Sequence, residues 1–116
     1  MAATAPQAAA QELIASYMAH LSSRDHFNSR GGRLRNAAAI IRQDRANFHR
    51  FGLRDPADEW DSFFSSISNR ARMENMLNNG TSDPGTRSLI VNGTPIVKVE
   101  IYGRGSRGIY IRVLAQ

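Results

Sequence analysis

Cysteine is absent from the 116 residues of this sequence, which excludes disulfide bonds and thiol chemistry. No run of about 18 apolar residues occurs, so the sequence predicts no membrane-spanning helix. The opening segment, MAATAPQAAAQ, has neither the basic region nor the apolar core of a secretory signal. These absences favour a cytoplasmic protein without a membrane partner. Hydrophobic residues, at 41%, suffice for a single folded domain over 1–116.

The common catalytic motifs are also absent. The sequence contains no GxSxG, no HExxH and no Walker loop. Its histidines, His20, His26 and His49, lack the spacing of metal ligands. The segment 103–108 (GRGSRG) contains GxG, but it separates two predicted strands and does not lead from a strand into a helix. We therefore predict no metal site, no cofactor and no catalytic residue, and enzymatic activity stays uncertain.

Lysine is almost absent, because Lys98 is the single lysine among 15 basic residues and all the others are arginine. With 10 acidic residues, the net charge is +5. Arginine binds phosphate and carboxylate groups in a bidentate manner, although an arginine-rich coding bias would give the same composition. Residues 24–54 carry eight arginines and two aspartates, whereas residues 55–74 carry five acids and two arginines. Clustered charge of this kind attracts oppositely charged partners.

Apolar residues recur at helical spacing in three segments of the chain. They predict helices at about 7–22, 33–50 and 56–78, after a frayed 1–6. Asp55 and Pro56 are typical of the start of the third helix. The predicted apolar faces consist of Leu13, Ile14, Tyr17, Met18 and Leu21 in the first helix, of Leu34, Ala37, Ala38, Ile41 and Phe48 in the second, and of Trp60, Phe63, Phe64, Ile67 and Ala71 in the third.

From Ser88 the apolar period changes to two residues, which predicts strands at about 88–91, 96–102 and 109–114. The dipeptide at 92–93, Asn-Gly, is typical of a two-residue hairpin turn between the first two strands. Helices followed by strands predict an α+β fold. In this fold, three N-terminal helices pack on one face of a C-terminal three-stranded antiparallel β-meander.

The last two predicted strands define a candidate binding face. Exposed aromatic side chains interleaved with basic ones are used to stack single-stranded RNA. Ordinary amphipathic strands with solvated tyrosines would give the same pattern. The face opposite the helices should carry Lys98, Glu100, Tyr102, Tyr110 and Arg112, with Arg104 and Arg107 in the adjoining loop.

The register of this hairpin is constrained by residue parity, because side chains opposite each other lie on the same face. Pairing Ile101 with Ile109 would place Lys98 opposite Arg112, which is a like-charge pair. Pairing Tyr102 with Tyr110 instead gives an aromatic pair, and it also gives an opposite-charge pair, Glu100 with Arg112. We therefore predict the second register.

A second candidate surface is the basic segment around the second predicted helix. Its stripe of basic residues consists of Arg35, Arg42 and His49 at seven-residue spacing, preceded by Arg30 and Arg33. Such a stripe can follow a phosphate backbone. It can equally pair with the acids of the third predicted helix, Asp58, Glu59 and Asp61.

The segment 97–114, VKVEIYGRGSRGIYIRVL, resembles the terminal hairpin of RelE/ParE-type toxins, which pack helices on a basic sheet. That family usually opens with a strand, whereas this sequence predicts an opening helix. The resemblance implies a ribonuclease in which Arg104, Arg107, Tyr110 and Arg112 position phosphate.

The interpretation that these patterns favour is a small basic non-enzymatic protein that binds nucleic acid, and they leave the choice between RNA and DNA open. One alternative is a regulator or inhibitor of the phage or plasmid accessory type, with an acidic protein partner. The other is a RelE/ParE-like ribonuclease. The candidate nucleic-acid contacts are Arg30, Arg33, Arg35, Arg42, His49, Lys98, Tyr102, Arg104, Arg107, Tyr110 and Arg112.

Overall fold

The structure, a computed structural model, describes residues 11–80 and 82–116. These residues form an α+β fold with a three-stranded antiparallel sheet and four helices. None of these helices is long and apolar enough to cross a membrane. The elements are β1 (Glu12–His20), α1 (Ala37–His49), α2 (Ile67–Arg70), α3 (Met73–Asn79), α4 (Pro84–Asn92), β2 (Ile96–Arg104) and β3 (Arg107–Ala115), with a 3-10 turn at Ser23–His26.

The predicted α+β class is confirmed, but a strand precedes the helices. Residues 12–20, predicted as part of an opening helix at 7–22, form β1. The sheet order is β1-β2-β3, so β2 is central and all four helices lie between the first two strands in sequence. Residues 1–10, which include the predicted frayed end, lie outside the described residues.

A β-bulge explains why β1 resembles a helix in sequence. Tyr17 and Ala19 are buried two residues apart, as expected for a strand, and pair with Val99 and Val97 of β2. The register shifts between Leu13 and Ala15, which changes the phase of the apolar pattern. Because the bulge breaks the two-residue alternation of apolar residues near the start of β1, the spacing of these residues also fits a helix. In the fold, pairing with the central strand β2 outweighs this local preference.

Helix α1 confirms the second predicted helix, although it begins later than position 33. Asn36 is its N-cap, and its side chain accepts a hydrogen bond from the Ala39 backbone N–H at 2.8 Å. The predicted apolar face is correct in its main part, because Ala37, Ala38, Ile41 and Phe48 are buried. Past the C-terminal end, Gly52 has a φ of +68°, a conformation that glycine adopts without steric cost.

The third predicted helix, 56–78, is wrong over its first half. Helix occurs only at α2 and α3, and the acids expected in the first helical turn bind β1 instead. Asp58 Oδ1 accepts from the His20 backbone N–H at 2.8 Å, and Glu59 exchanges two hydrogen bonds with Met18. Segment 55–61 therefore covers the outer edge of β1, which satisfies backbone groups that an edge strand would leave unpaired.

The predicted strand 88–91 is also wrong, because these residues belong to α4. Asp83 is its N-cap and accepts from the Thr86 backbone N–H at 2.7 Å, with Pro84 in the first turn. Gly93 does not form a hairpin turn; its N–H donates to Leu89 O at 2.8 Å and ends the helix. The third strand of the sheet comes from β1.

The hairpin of β2 and β3 has the predicted register. Tyr102 pairs with Tyr110 and Glu100 with Arg112. A bulge at Ile109 adjusts the parity, so the strands meet in a two-residue turn at 105–106. Gly105 has a φ of +58°, which suits the first central position of a type II′ turn.

The hydrophobic core lies between the inner face of the sheet and the helices. It joins Val97, Val99, Ile101, Ile111 and Val113 of the sheet to Ile40, Ile41, Phe63, Phe64, Met73, Met76, Leu77 and Ile90 of the helical layer. The opposite face of the sheet, which we call the outer sheet face, carries Lys98, Glu100, Tyr102, Tyr110 and Arg112.

Candidate nucleic-acid interface

Two tyrosines form the aromatic part of the outer sheet face. The rings of Tyr102 and Tyr110 stack with their centroids 5.0 Å apart and their planes 12° apart. Both side chains are half-buried, and the Tyr102 hydroxyl donates to Glu100 Oε1 at 3.2 Å. The pair thus forms a preassembled two-ring stack that an additional planar group can extend.

Charged side chains surround this stack. Glu100 lies between Lys98 Nζ at 3.8 Å and Arg112 Nη1 at 3.6 Å. The carboxylate is mostly buried, with 13% of its side chain exposed, whereas the Lys98 and Arg112 side chains are 42% and 49% exposed. Glu100 therefore holds two cations in place, while their outer surfaces remain open to solvent.

At the end of the hairpin, three arginines line a groove of about 350 Å³. Arg104 and Arg107 face each other across the turn, and Arg72 approaches from the N-cap of α3. None of the three has a carboxylate partner within 4 Å among the described residues. We call this the hairpin groove, which is lined by Arg72, Asn79, Arg104, Arg107 and Ile109.

Close packing of α3 against β3 fixes the position of the hairpin groove. The Arg72 side chain donates to Gly108 O, and Asn79 Nδ2 donates to Ile109 O at 3.4 Å. A Cβ at Gly80 would lie only 1.8 Å from Ile111 O, so the chain after α3 approaches the strand backbone where only glycine fits. These contacts also cover part of the outer edge of β3.

The predicted arginines of the second helix lie elsewhere. Arg30, Arg35 and Arg42 are exposed on the helical side of the core, whereas the tyrosine pair lies on the outer sheet face. Arg33 is held by the carbonyls of Leu34 and Val91, so it tethers the loop before α1 to α4. The structure therefore divides the candidate residues between two surfaces.

His49, the last member of the predicted stripe, belongs to a buried ionic network. Its Nε2 lies 2.8 Å from Asp61 Oδ1, and the same oxygen accepts from Arg45 Nη1 at 2.8 Å. Arg45 also donates from Nε to Asp44 Oδ2 at 2.9 Å. For this stripe, pairing with nearby acids is the predicted alternative to phosphate binding. His49 does pair with one of those acids, Asp61.

Arg45 is the centre of this network. It is fully buried, and its guanidinium lies 4.0 Å from the centroid of the Tyr17 ring and 4.6 Å from that of Phe48. Burial raises the pKa of Tyr17 well above its ordinary value, and burial likewise raises the pKa of Asp44. Enclosed in this way, the network is not accessible to a large ligand.

Two residues of these sites do not emerge from the sequence patterns above. The sequence does contain a signal for Arg45, although the patterns above do not use it. Arg45 falls at helical spacing between Ile41 and Phe48, so its position on the apolar face could have indicated that it is buried. Arg72 gives no such signal, since it lies in the acidic segment 55–74 and reaches the hairpin only through the fold.

Comparisons with protein-family models, curated proteins and solved structures found no match to the chain.

Proposed function

We propose that this is a cytoplasmic, non-enzymatic protein that binds single-stranded RNA on the outer sheet face and the hairpin groove. The observation that carries the proposal is the stacked tyrosine pair, Tyr102 and Tyr110, next to a groove lined by three arginines without carboxylate partners in the described chain. A base can extend the stack while the arginines contact the phosphates that follow it.

The charge balance supports this assignment. On the outer sheet face, Glu100 offsets one of the two cations, Lys98 and Arg112. The hairpin groove adds three guanidinium groups, so the combined surface carries a net positive charge. Single-stranded RNA is favoured over duplex because its unpaired bases can reach an aromatic stack.

Fluorescence anisotropy with a labelled 12-nucleotide oligouridine tests the proposal. Tyr110→Ala should weaken binding about 5- to 150-fold, since one base stacked on an aromatic side chain contributes ~1–3 kcal/mol. Tyr110→Phe keeps the ring and should bind like the wild type. Trp60→Ala removes an aromatic side chain that is 62% exposed but contacts His49 on the helical side, and it should have no effect.

Two results would contradict the proposal. One is an equal decrease in affinity in the Tyr110→Ala and Trp60→Ala variants, which would mean that exposed aromatics act without regard to position. The other is unchanged affinity in Tyr110→Ala while circular dichroism shows an intact fold.

A ribonuclease of the RelE/ParE type is a second candidate, favoured by one observation. The described chain opens with β1, so the predicted opening helix, which separated this sequence from that family, does not occur over 12–20. Incubation of the purified protein with the same RNA distinguishes the two activities. A binder leaves the RNA intact on a denaturing gel, whereas a ribonuclease cleaves it and stops cleaving on Arg112→Ala.

A further inference from the structure

A groove follows the exposed side of α1, remote from the outer sheet face. Two adjoining cavities of about 400 and 290 Å³ share Ser29, Gln43 and Phe51 in their walls, so they form one continuous depression. From Ala39 to Arg50 it extends about 16 Å along the helix, at ~1.5 Å per residue. We call this the α1 groove.

The α1 groove exposes large apolar side chains. Phe27, Phe51 and Leu53 line its larger cavity and are 43%, 45% and 46% exposed. Single exposed apolar residues are common on protein surfaces, but a contiguous group around a concave surface is typical of an interaction site. Leu34, Ala39 and Ala46 continue the apolar wall in the smaller cavity.

The charge around the α1 groove has one sign. Arg24, Arg42 and Arg50 line it, and its walls contain no carboxylate within residues 11–80 and 82–116. Arg24 is partly offset by Asp55 at 3.5 Å, whereas Arg42 and Arg50 have no carboxylate within 4 Å in that part of the chain. Arg50 also extends over the Phe51 ring at 5.0 Å, which joins the cationic rim to the apolar floor.

The pKa of the neighbouring Arg70 reflects the same accumulation of positive charge. Burial lowers the pKa of Arg70, and the proximity of Arg50 and Arg42 lowers it further. Its guanidinium donates to two carbonyls, Phe64 O at 2.8 Å and Ser65 O at 3.2 Å. A ligand that brings negative charge to this side of the protein would relieve the repulsion among these groups.

We propose that the α1 groove docks an acidic amphipathic helix of a partner protein. A helix of about three turns matches the length of the groove, its apolar side chains fit the cavities, and its carboxylates face Arg42 and Arg50. A continuous depression with a mostly apolar floor and a cationic rim matches the apolar face and the acidic flanks of such a helix. This surface is separate from the proposed RNA site, so each can fail without the other.

A labelled 14-residue peptide, with leucines at alternating three- and four-residue spacing and Asp or Glu elsewhere, tests the proposal by anisotropy. We expect saturable binding by the acidic amphipathic peptide and none by a scrambled peptide of the same composition. Arg42→Glu should weaken binding about tenfold, because like charges then oppose each other at the rim. Arg35→Glu makes the same charge change at an exposed position outside the walls of the groove and should leave peptide binding unchanged.

Charge reversal and truncation complete the test. The Arg42→Glu/Arg50→Glu variant should bind a Lys-substituted version of the peptide better than the acidic one. Leu53→Ala shortens a side chain that is 46% exposed in the larger cavity, and it should also weaken binding of the acidic peptide. The proposal is overturned if the scrambled peptide binds equally, if no peptide saturates, or if Arg42→Glu abolishes binding of oligouridine, which would assign the groove to nucleic acid.

Discussion

Arg45 Nη1 donates to Asp61 Oδ1 at 2.8 Å, and neither side chain is exposed to solvent. Removing the cation alone leaves Asp61 and Asp44 buried without their counter-charge, so Arg45→Met should reduce the free energy of unfolding by about 3–5 kcal/mol. Arg42→Met, three residues earlier on α1, removes an exposed guanidinium and should change stability by less than about 0.5 kcal/mol. Urea denaturation followed by circular dichroism measures both. Equal stability of the two variants would contradict the structural role of Arg45.

Phe64 and Ile67 distinguish the observed fold from the continuous helix that the sequence predicts at 56–78. Phe64 is fully buried in edge contact with Tyr17, with ring centroids 6.1 Å apart, whereas Ile67 is 66% exposed. Phe64→Ala should therefore cost about 3–5 kcal/mol of unfolding free energy, and Ile67→Ala less than about 0.5 kcal/mol. A continuous amphipathic helix would bury both side chains and make both substitutions costly in the same denaturation experiment.

The buried Asp44 should make stability depend on pH. Burial raises its pKa in the folded protein, so as pH rises above about 4 the unfolded chain releases this proton first. The contribution of Asp44 to folding is thus fully present at low pH and is lost as pH rises through the folded pKa. Relative to wild type, Asp44→Asn should become more stable as pH rises from 4 to 7 in urea denaturation.

Asp83 provides a control of opposite sign for the pH experiment. The Thr86 backbone N–H stabilises its charged form and lowers its pKa. Its contribution is present above about pH 4, the ordinary Asp pKa, and is lost as pH falls through the lower folded pKa. Asp83→Asn should therefore lose stability, relative to wild type, as pH rises from 3 to 5. A stability difference between Asp44→Asn and wild type that does not change with pH, or that follows the trend of Asp83→Asn, would contradict a raised pKa of Asp44 in the folded protein.

The hairpin could be predicted from the sequence because two independent constraints agree there. Alternation assigns each side chain to a face, and charge pairing selects Glu100 opposite Arg112 among the remaining registers. The sequence also contains a signal for the start of α4, since Asp83 and Pro84 are typical of a helix N-terminus. The Asn-Gly dipeptide at 92–93 outweighs that signal by favouring a hairpin turn, although in this fold it ends a helix.

Segment 55–61 could not be predicted in the same way. Its conformation depends on hydrogen bonds to residues about 40 positions away, including Glu59 to Met18 and Asp58 to His20. The same acids and proline would also suit the first turn of a helix, so local patterns favour the wrong answer. For the same reason the approach of Arg72 to the hairpin, which completes the proposed phosphate-binding groove, follows from the fold alone.

The salt dependence of RNA binding tests whether the arginines of the hairpin bind RNA phosphates. For single strands, the slope of log K against log salt becomes shallower by about 0.7 for each phosphate that the protein no longer neutralises. Arg104→Ala/Arg107→Ala should therefore flatten the slope measured with labelled oligouridine by up to about 1.4, if each arginine binds one phosphate. Arg35→Ala/Arg42→Ala removes the same charge from the helical side and should leave the slope unchanged. Flattening by the second pair but not the first would contradict binding at the hairpin.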